Sequence, residues 1–125
     1  MGTNAVVIQS AYDAFGRGDI GAVLDLLDDA VEWSSPATLP HGGQFKGKAG
    51  VGKFFEGIGA AWTALGLDVE SVSEADNGLV IGVVQASGTR DDGTPGAFGA
   101  AHVFTVRDGK VIRFREYVDL DVSIA

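Results

Sequence analysis

The chain has 125 residues, of which 46% are hydrophobic and 21% are charged, and it contains no cysteine. A chain of this length is expected to form a single domain, residues 1–125, around one hydrophobic core. Nine Lys and Arg against seventeen Asp and Glu give a formal net charge of −8, which disfavours nucleic acid and anionic lipid surfaces as partners.

The absence of cysteine excludes disulfides and thiolate chemistry. No stretch approaches the roughly 18 to 20 apolar residues that cross a bilayer. The segment from Met1 to Asp19 shows no secretory signal pattern. We therefore expect a soluble protein without a membrane partner, located in the cytoplasm.

Apolar residues recur at helical spacing in two successive segments near the start of the chain. In the first they are Ile8, Ala11, Tyr12 and Phe15. In the second they are Ile20, Val23, Leu24 and Leu27. We expect one helix from Thr3 or Asn4 to Gly16, and a short second helix that Asp19 caps and that ends before Asp28.

A short strand, a long loop and a third helix are predicted next. Val31-Glu32-Trp33 alternates apolar and polar residues, which indicates a strand. His41, in the loop that follows, belongs either to a mobile lid or, as we favour, to an exposed loop. From Lys48 to Leu65 one face of a helix is apolar, which predicts an amphipathic third helix. Its apolar positions are Val51, Phe54, Phe55, Ile58, Trp62 and Leu65.

The second half of the chain is typical of an antiparallel meander. The dipeptides Asn77-Gly78 and Asp108-Gly109 favour tight hairpin turns. These turns help to separate four strand-like segments, so we expect about four strands. The segments are 67–76, 79–90, 97–107 and 110–118. Because helices come first and strands last, we expect an α+β fold with the helices on one face of a curved sheet.

Strand alternation singles out two polar residues on apolar faces. Segment 97–107 places one imidazole, His102, among Phe98, Ala100, Phe104 and Val106. Segment 110–118 places one carboxylate, Glu116, among Ile112, Phe114 and Val118, with Val111, Arg113, Arg115 and Tyr117 on the other face. Pairing across Asp108-Gly109 puts His102 opposite Arg115 and one step from Glu116. The two groups then form either an acid/base pair in an apolar pocket or a salt bridge without chemistry.

A small apolar organic molecule is the ligand that such a pocket would accept. We expect Phe98, Phe104 and Phe114 to line it. Trp33 either lines it or packs in the core, and Tyr12 either points its hydroxyl into it or packs on helix one. Gln85, the polar residue of segment 79–89, is a further ligand-binding candidate.

Two other kinds of site are disfavoured by the residues present. Only His41 and His102 are available as nitrogen ligands and there is no cysteine, so we expect neither a metal site nor a cofactor. Gly47 to Lys53 matches the start of a phosphate-binding loop. Phe54 occupies the place of the required Ser or Thr, so we do not expect nucleotide binding.

Three segments carry a resemblance to a known family: YDAFGRGDIGAVLDLLDDAVEW, GQFKGKAGVGKFFEGI and DGKVIRFREYVD. Together they resemble the SnoaL-like branch of the nuclear transport factor 2-like superfamily. The resemblance implies a cone-shaped α+β fold, with three helices on a curved, mostly antiparallel sheet. It also implies a homodimer formed through the outer face of that sheet.

For function, the resemblance implies that His102 and Glu116 match the histidine and the acid of SnoaL-type polyketide cyclases. The glutamate departs from the aspartate usual there. Ketosteroid isomerases are also similar, but Trp33 stands where their base is expected. Relatives that hydrolyse limonene epoxide carry an Arg-x-Asp that segment 79–89 lacks. We therefore expect a cofactor-independent cyclase or isomerase acting on a polyketide- or steroid-like molecule, with a non-catalytic ligand-binding or accessory module as the alternative.

Overall fold

The computed structural model describes residues 3–119. Three helices and a curved six-stranded sheet form the predicted α+β fold. The helices are α1 (Thr3–Gly16), α2 (Ile20–Asp25) and α3 (Gly47–Ala61). The strands are β1 (Leu27–Ser35), β2 (Gly43–Lys46), β3 (Trp62–Glu74), β4 (Leu79–Arg90), β5 (Pro95–Arg107) and β6 (Lys110–Asp119).

The strand order in the sheet is β2-β1-β6-β5-β4-β3. All neighbours are antiparallel except β1 and β6, which run parallel. This parallel pairing returns the last strand to the middle of the sheet, beside the first. The ends of β1, β5 and β6 therefore lie together, and the candidate site is built on them.

The first two helices begin and end largely where local chemistry predicts. Asp19 caps α2 by accepting a hydrogen bond from the backbone N–H of Ala22 at 3.1 Å. The prediction that Leu27 extends this helix is wrong. Leu27 is the first residue of β1, is 2% exposed and pairs with Val111 of β6. Burial against a neighbouring strand outweighs the helical spacing of one leucine.

The third helix is shorter than predicted, because it ends at Ala61. Trp62 pairs with Arg90 and starts β3, although it is as buried as a helix-stripe residue would be. Its spacing from Ile58 therefore reports burial rather than helical structure. The strand β2, which the sequence does not predict, lines the edge of the sheet through its pairing with β1.

The hairpin between β5 and β6 differs from the prediction in register. Both predicted tight turns form, and at this one Asp108 and Gly109 have φ of 52° and 77°. A register shift between Thr105 and Val106 inserts Ile112 as an extra residue. Such a bulge reverses which residues face the core, so Val111 is fully buried instead of lying on the outer face.

The core lies between the helices and the concave face of the sheet. The largest of its fully buried side chains come from both layers and are Ile8, Val31, Val51, Val80, Val84 and Val111. Among the described residues, the polar residues Ser35, His41 and His102 are buried among apolar neighbours. Because a buried polar group costs free energy unless it is hydrogen-bonded, their partners define the part of the core that carries chemistry.

Candidate functional site

A cavity opens between α1, α3 and the concave face of the sheet, and its walls are almost entirely apolar. Its empty volume is ≈ 580 Å³, part of which is open to solvent. The aromatic rings that line it are Tyr12, Phe15, Trp33, Phe54, Phe55, Phe98, Phe104 and Phe114. The titratable side chains among the lining residues are Tyr12, His41, His102 and Glu116.

A hydrogen-bonded chain of four side chains runs across this cavity. Tyr12 Oη lies 2.8 Å from His102 Nδ1, and His102 Nε2 lies 3.0 Å from Glu116 Oε2. The hydroxyl of Ser35 donates to Glu116 Oε1 at 2.6 Å. The side chains of His102 and Glu116 are each 7% exposed. Four separate elements, α1, β5, β6 and β1, thus contribute one group each.

Strand register brings these groups together. His102 and Glu116 are direct cross-strand partners, so the prediction of a partner at Arg115 is wrong by one residue. Ser34 pairs with Arg115 on the parallel strand, which puts Ser35 beside Glu116. The pairing arises because the bulge near the hairpin turn shifts the register by one for every residue pair beyond it.

Gly82 on β4 makes room for Tyr12, the outermost side chain of the hydrogen-bonded series. Gly82 is paired with His102 in the sheet. A side chain at this position would collide with the hydroxyl and ring of Tyr12. The absence of a Cβ at position 82 therefore lets Tyr12 reach from α1 to the imidazole.

The protonation states of Glu116 and Tyr12 follow from their surroundings. Burial alone raises the pKa of Glu116, but the hydrogen bond and charge of His102, with smaller contributions from Ser35 and His41, outweigh it and lower the pKa below the ordinary 4.5. Glu116 is therefore ionised at neutral pH. Burial, and then the charge of Glu116, raise the pKa of Tyr12, which keeps the phenol protonated.

Two arrangements of the protons satisfy the hydrogen-bonding groups of these four side chains. In the first, His102 is neutral, Tyr12 donates to Nδ1, and Nε2–H donates to Glu116. In the second, His102 is an imidazolium that donates from both nitrogens, so that the phenol oxygen accepts and the phenol proton is free for a ligand. One proton added to His102 thus reverses the Tyr12–His102 hydrogen bond.

Among the titratable side chains of the cavity, His41 is the one that the sequence interpretation did not place there. It is 6% exposed, so the prediction of an exposed loop histidine is wrong. The indole N–H of Trp62 donates to His41 Nδ1 at 3.2 Å. Burial lowers the pKa of His41, while the charge of Glu116 acts in the opposite direction. Its burial could not be read from a glycine-rich loop, because the signal is a contact with a tryptophan distant in sequence.

The predicted aromatic candidates and Tyr12 all line the cavity, but Gln85 does not. Its side chain is exposed on the opposite, outer face of the sheet and donates to Glu70 at 2.9 Å. The placement of Gln85 in the ligand site is therefore corrected. Tyr117 and Val83 are also exposed on this outer face, at 54% and 38%. The homodimer through this face stays a prediction.

Among residues 3–119, no three His, Asp or Glu side chains lie close enough together to hold a metal ion. Within the same residues, no helix has the length and apolar character needed to cross a membrane. The side chains that line the described cavity offer proton transfer and hydrogen bonding beside apolar surface.

An open curved sheet with three helices over an apolar cavity is the α+β fold of nuclear transport factor 2-like proteins. The family model described as a SnoaL-like domain matches residues 8–114. The chain therefore belongs to the SnoaL-like family, which confirms the resemblance seen in its sequence.

Solved structures agree over nearly the whole chain. An NTF2-like protein of unknown function from Burkholderia pseudomallei superposes with a TM-score of 0.88 at 22% identity, covering 99% of this chain and 96% of that one. An NTF2-like protein from Burkholderia thailandensis gives 0.87 at 29% identity, covering 100% and 98%. TerC, crystallised with polyporic acid, gives 0.85 at 25% identity, covering 98% and 96%. A search of curated proteins finds no significant match.

Proposed function

We propose that this protein binds a small apolar carbonyl compound in its cavity and catalyses its isomerisation or ring closure by proton transfer, without a cofactor. The observation that carries the proposal is the hydrogen-bonded chain Tyr12–His102–Glu116–Ser35 inside an otherwise apolar cavity. A polyketide- or steroid-like molecule has the flat apolar surface that suits the aromatic walls. TerC, a structural neighbour, was crystallised with polyporic acid, which supports binding of a small molecule by this fold.

In the proposed reaction, a proton leaves a carbon next to a substrate carbonyl. The C–H bond breaks, and its electron pair moves onto the carbonyl oxygen to form an enolate. The Tyr12 hydroxyl passes its own proton to His102 Nδ1 as it takes the substrate proton. Glu116 stabilises the resulting imidazolium, because its ionised carboxylate lies 3.0 Å from Nε2.

The enolate then has two outcomes that both return the proton. In ring closure, its carbon attacks a second carbonyl, a C–C bond forms, and the new alkoxide takes the proton back from His102 by way of Tyr12. In isomerisation, another carbon of the conjugated system takes it instead. Neither outcome changes the oxidation state of the whole molecule, so neither requires a redox cofactor.

Glu116 is assigned to charge stabilisation rather than to direct contact with substrate. Its lowered pKa makes it a weak proton acceptor, and both of its oxygens already accept hydrogen bonds. His102 depends on this carboxylate for its orientation and for the stability of its charged form. Removing the charge of Glu116 should therefore reduce proton transfer through His102.

Deuterium exchange tests the reaction without knowledge of the natural substrate. Wild-type protein in D2O should speed exchange at the carbons next to the carbonyl groups of α-tetralone or 5-androstene-3,17-dione. Glu116→Gln and Tyr12→Phe should each lower the enzyme-dependent rate by about 10²–10⁴-fold, the usual share of general acid/base catalysis. Glu32→Gln is the matched control, because Glu32 lies outside the cavity and half-exposed beside Arg113. Equal exchange by wild type and Glu116→Gln would refute the mechanism.

The second candidate is a non-catalytic binding or accessory module. One observation favours it: both nitrogens of His102 and both oxygens of Glu116 are already hydrogen-bonded within the protein. A saturated network of this kind also serves to hold a rigid pocket. Binding of polyporic acid or a steroid dione, with exchange no faster than in buffer, would support this candidate over catalysis. Failure of the whole panel to bind would contradict the ligand class.

A further inference from the structure

His41 and Trp62 form a hydrogen bond whose direction is fixed by chemistry. An indole N–H can only donate, and Trp62 Nε1 lies 3.2 Å from His41 Nδ1. Nδ1 must therefore carry a lone pair and no proton. A neutral imidazole has one ring proton, so the proton of His41 lies on Nε2.

The surroundings of His41 reinforce this neutral form. Its ring meets the ring of Phe54 edge to face at 5.5 Å, and the ring of Trp62 at 6.4 Å. A side chain at Gly57 would lie 3.7 Å from His41 Cβ, which shows how closely α3 covers the histidine from that side. The charged group that acts on His41 is Glu116, and burial outweighs it to lower the pKa of His41.

Nε2 of His41 has no hydrogen-bond partner among residues 3–119. Among residues 3–119, the side-chain nitrogen that is both sealed from solvent and without a hydrogen-bond partner is Trp33 Nε1, and His41 Nε2 does not share that seal. His41 itself lines the cavity. Trp33 also lines the cavity, and its ring packs against Phe54 at 5.7 Å, as that of His41 does. Within residues 3–119, the aromatic wall thus carries two N–H groups without a protein acceptor.

We propose that His41 is a specificity-determining residue, held by Trp62 as a neutral Nε2–H donor that binds an acceptor oxygen of the ligand. The ligand class is then an oxygenated ring compound with a carbonyl or similar oxygen near α3, and a hydrocarbon of the same shape is discriminated against. The ligand part of this inference rests on the proposed function. The protonation part does not, because it follows from the Trp62–His41 bond alone.

Nitrogen NMR of ¹⁵N-histidine-labelled protein tests the protonation part directly. The chain has two histidines, so in His102→Gln the ring nitrogen signals come from His41 alone. We expect an unprotonated Nδ1 and a protonated Nε2 at neutral pH. Trp62→Phe keeps a ring but removes the donor, and should give mixed tautomers and a higher pKa for His41. A proton on Nδ1 in the wild type, or identical spectra with and without the indole N–H, would overturn the assignment.

A matched pair of probes tests the ligand part. α-Tetralone and tetralin share one ring skeleton and differ by a carbonyl oxygen. His41→Leu should weaken α-tetralone binding by about tenfold, the worth of one hydrogen bond, and leave tetralin unchanged. His41→Gln keeps an N–H at the end of the side chain and should recover part of the loss.

The outcomes separate this inference from the proposed function. If α-tetralone binds and His41→Leu affects both probes equally, His41 does not select for oxygen and the inference fails, while ligand binding stands. If neither probe binds the wild type, the ligand class of the proposed function fails and specificity by His41 fails with it. The NMR result then still decides whether Trp62 fixes the tautomer.

Discussion

Ser35→Ala should destabilise the protein through a single lost hydrogen bond. The Ser35 hydroxyl donates to Glu116 Oε1 at 2.6 Å, and Ser35 is 3% exposed. Alanine removes only the oxygen, so the carboxylate loses a donor at a buried site. A hydrogen bond to a charged group contributes about 1.5–3 kcal/mol. With the urea dependence usual for small domains, the unfolding midpoint at pH 7 should fall by about 1–2 M.

The loss should also depend on pH, with a sign set by the lowered pKa of Glu116. A carboxyl whose pKa is lower in the folded state contributes stability above its unfolded value, and this stability disappears as the pH falls through the folded value. Ser35 is one cause of the lowering. The difference between wild type and Ser35→Ala should therefore be full at pH 7 and shrink as the pH falls through the lowered pKa of Glu116 in the folded protein, which lies below the ordinary 4.5.

Urea unfolding followed by tryptophan fluorescence at pH 7 and at a series of acidic pH values below 4.5 measures both effects. Ser34→Ala is the control, because Ser34 lies on the same strand and accepts an exposed hydrogen bond from Gln44 at 2.8 Å. Surface changes of this kind usually stay within about 0.5 kcal/mol. If Ser35→Ala matches Ser34→Ala at pH 7, or if its destabilisation stays constant over the whole acidic series in which the protein remains folded, the hydroxyl does not stabilise an ionised Glu116.

Two further predictions concern positions near and far from the cavity. Gly82→Ala should displace Tyr12 and lower both the stability and the deuterium-exchange rate. In the control Gly59→Ala, the new Cβ meets nothing within 4 Å, and the urea midpoint should rise because alanine favours helix by about 1 kcal/mol. A Gly82→Ala protein as active as wild type would mean that Tyr12 is not required. Gln85→Ala should leave probe affinity in fluorescence titrations unchanged, since Gln85 contacts Glu70 on the outer face, and weaker binding would restore Gln85 to the site.

Much of the fold was predictable because its signals are local. The span of α1, the Asp19 cap, β4 and both Gly-containing turns follow from spacing, side-chain capping and the positive φ that Asn-Gly and Asp-Gly tolerate. The wrong helix predictions concern residues whose apolar character reports burial and does not distinguish a helix from a strand. Leu27 and Trp62 are buried at helical spacing, yet both belong to strands whose partners lie far along the chain.

The candidate site divides in the same way. Alternation within β5 and β6 was enough to mark His102 and Glu116, because a polar residue on an apolar face requires a partner. Their direct pairing was not predictable, since the extra residue at Ile112 shifts the register. Ser35 and His41 gave no local signal.

The sequence by itself therefore determined the class of fold, the family and the two polar residues at the centre of the cavity. Periodicity, turns and recognisable segments are properties of the chain alone. Only the tertiary structure decided that Tyr12 and Ser35 complete the hydrogen-bonded chain, that Trp62 holds His41, and that Gln85 lies outside. Each of these depends on contacts between residues 10 or more positions apart in sequence, such as the 90 that separate Tyr12 and His102, and strand register and packing set those contacts.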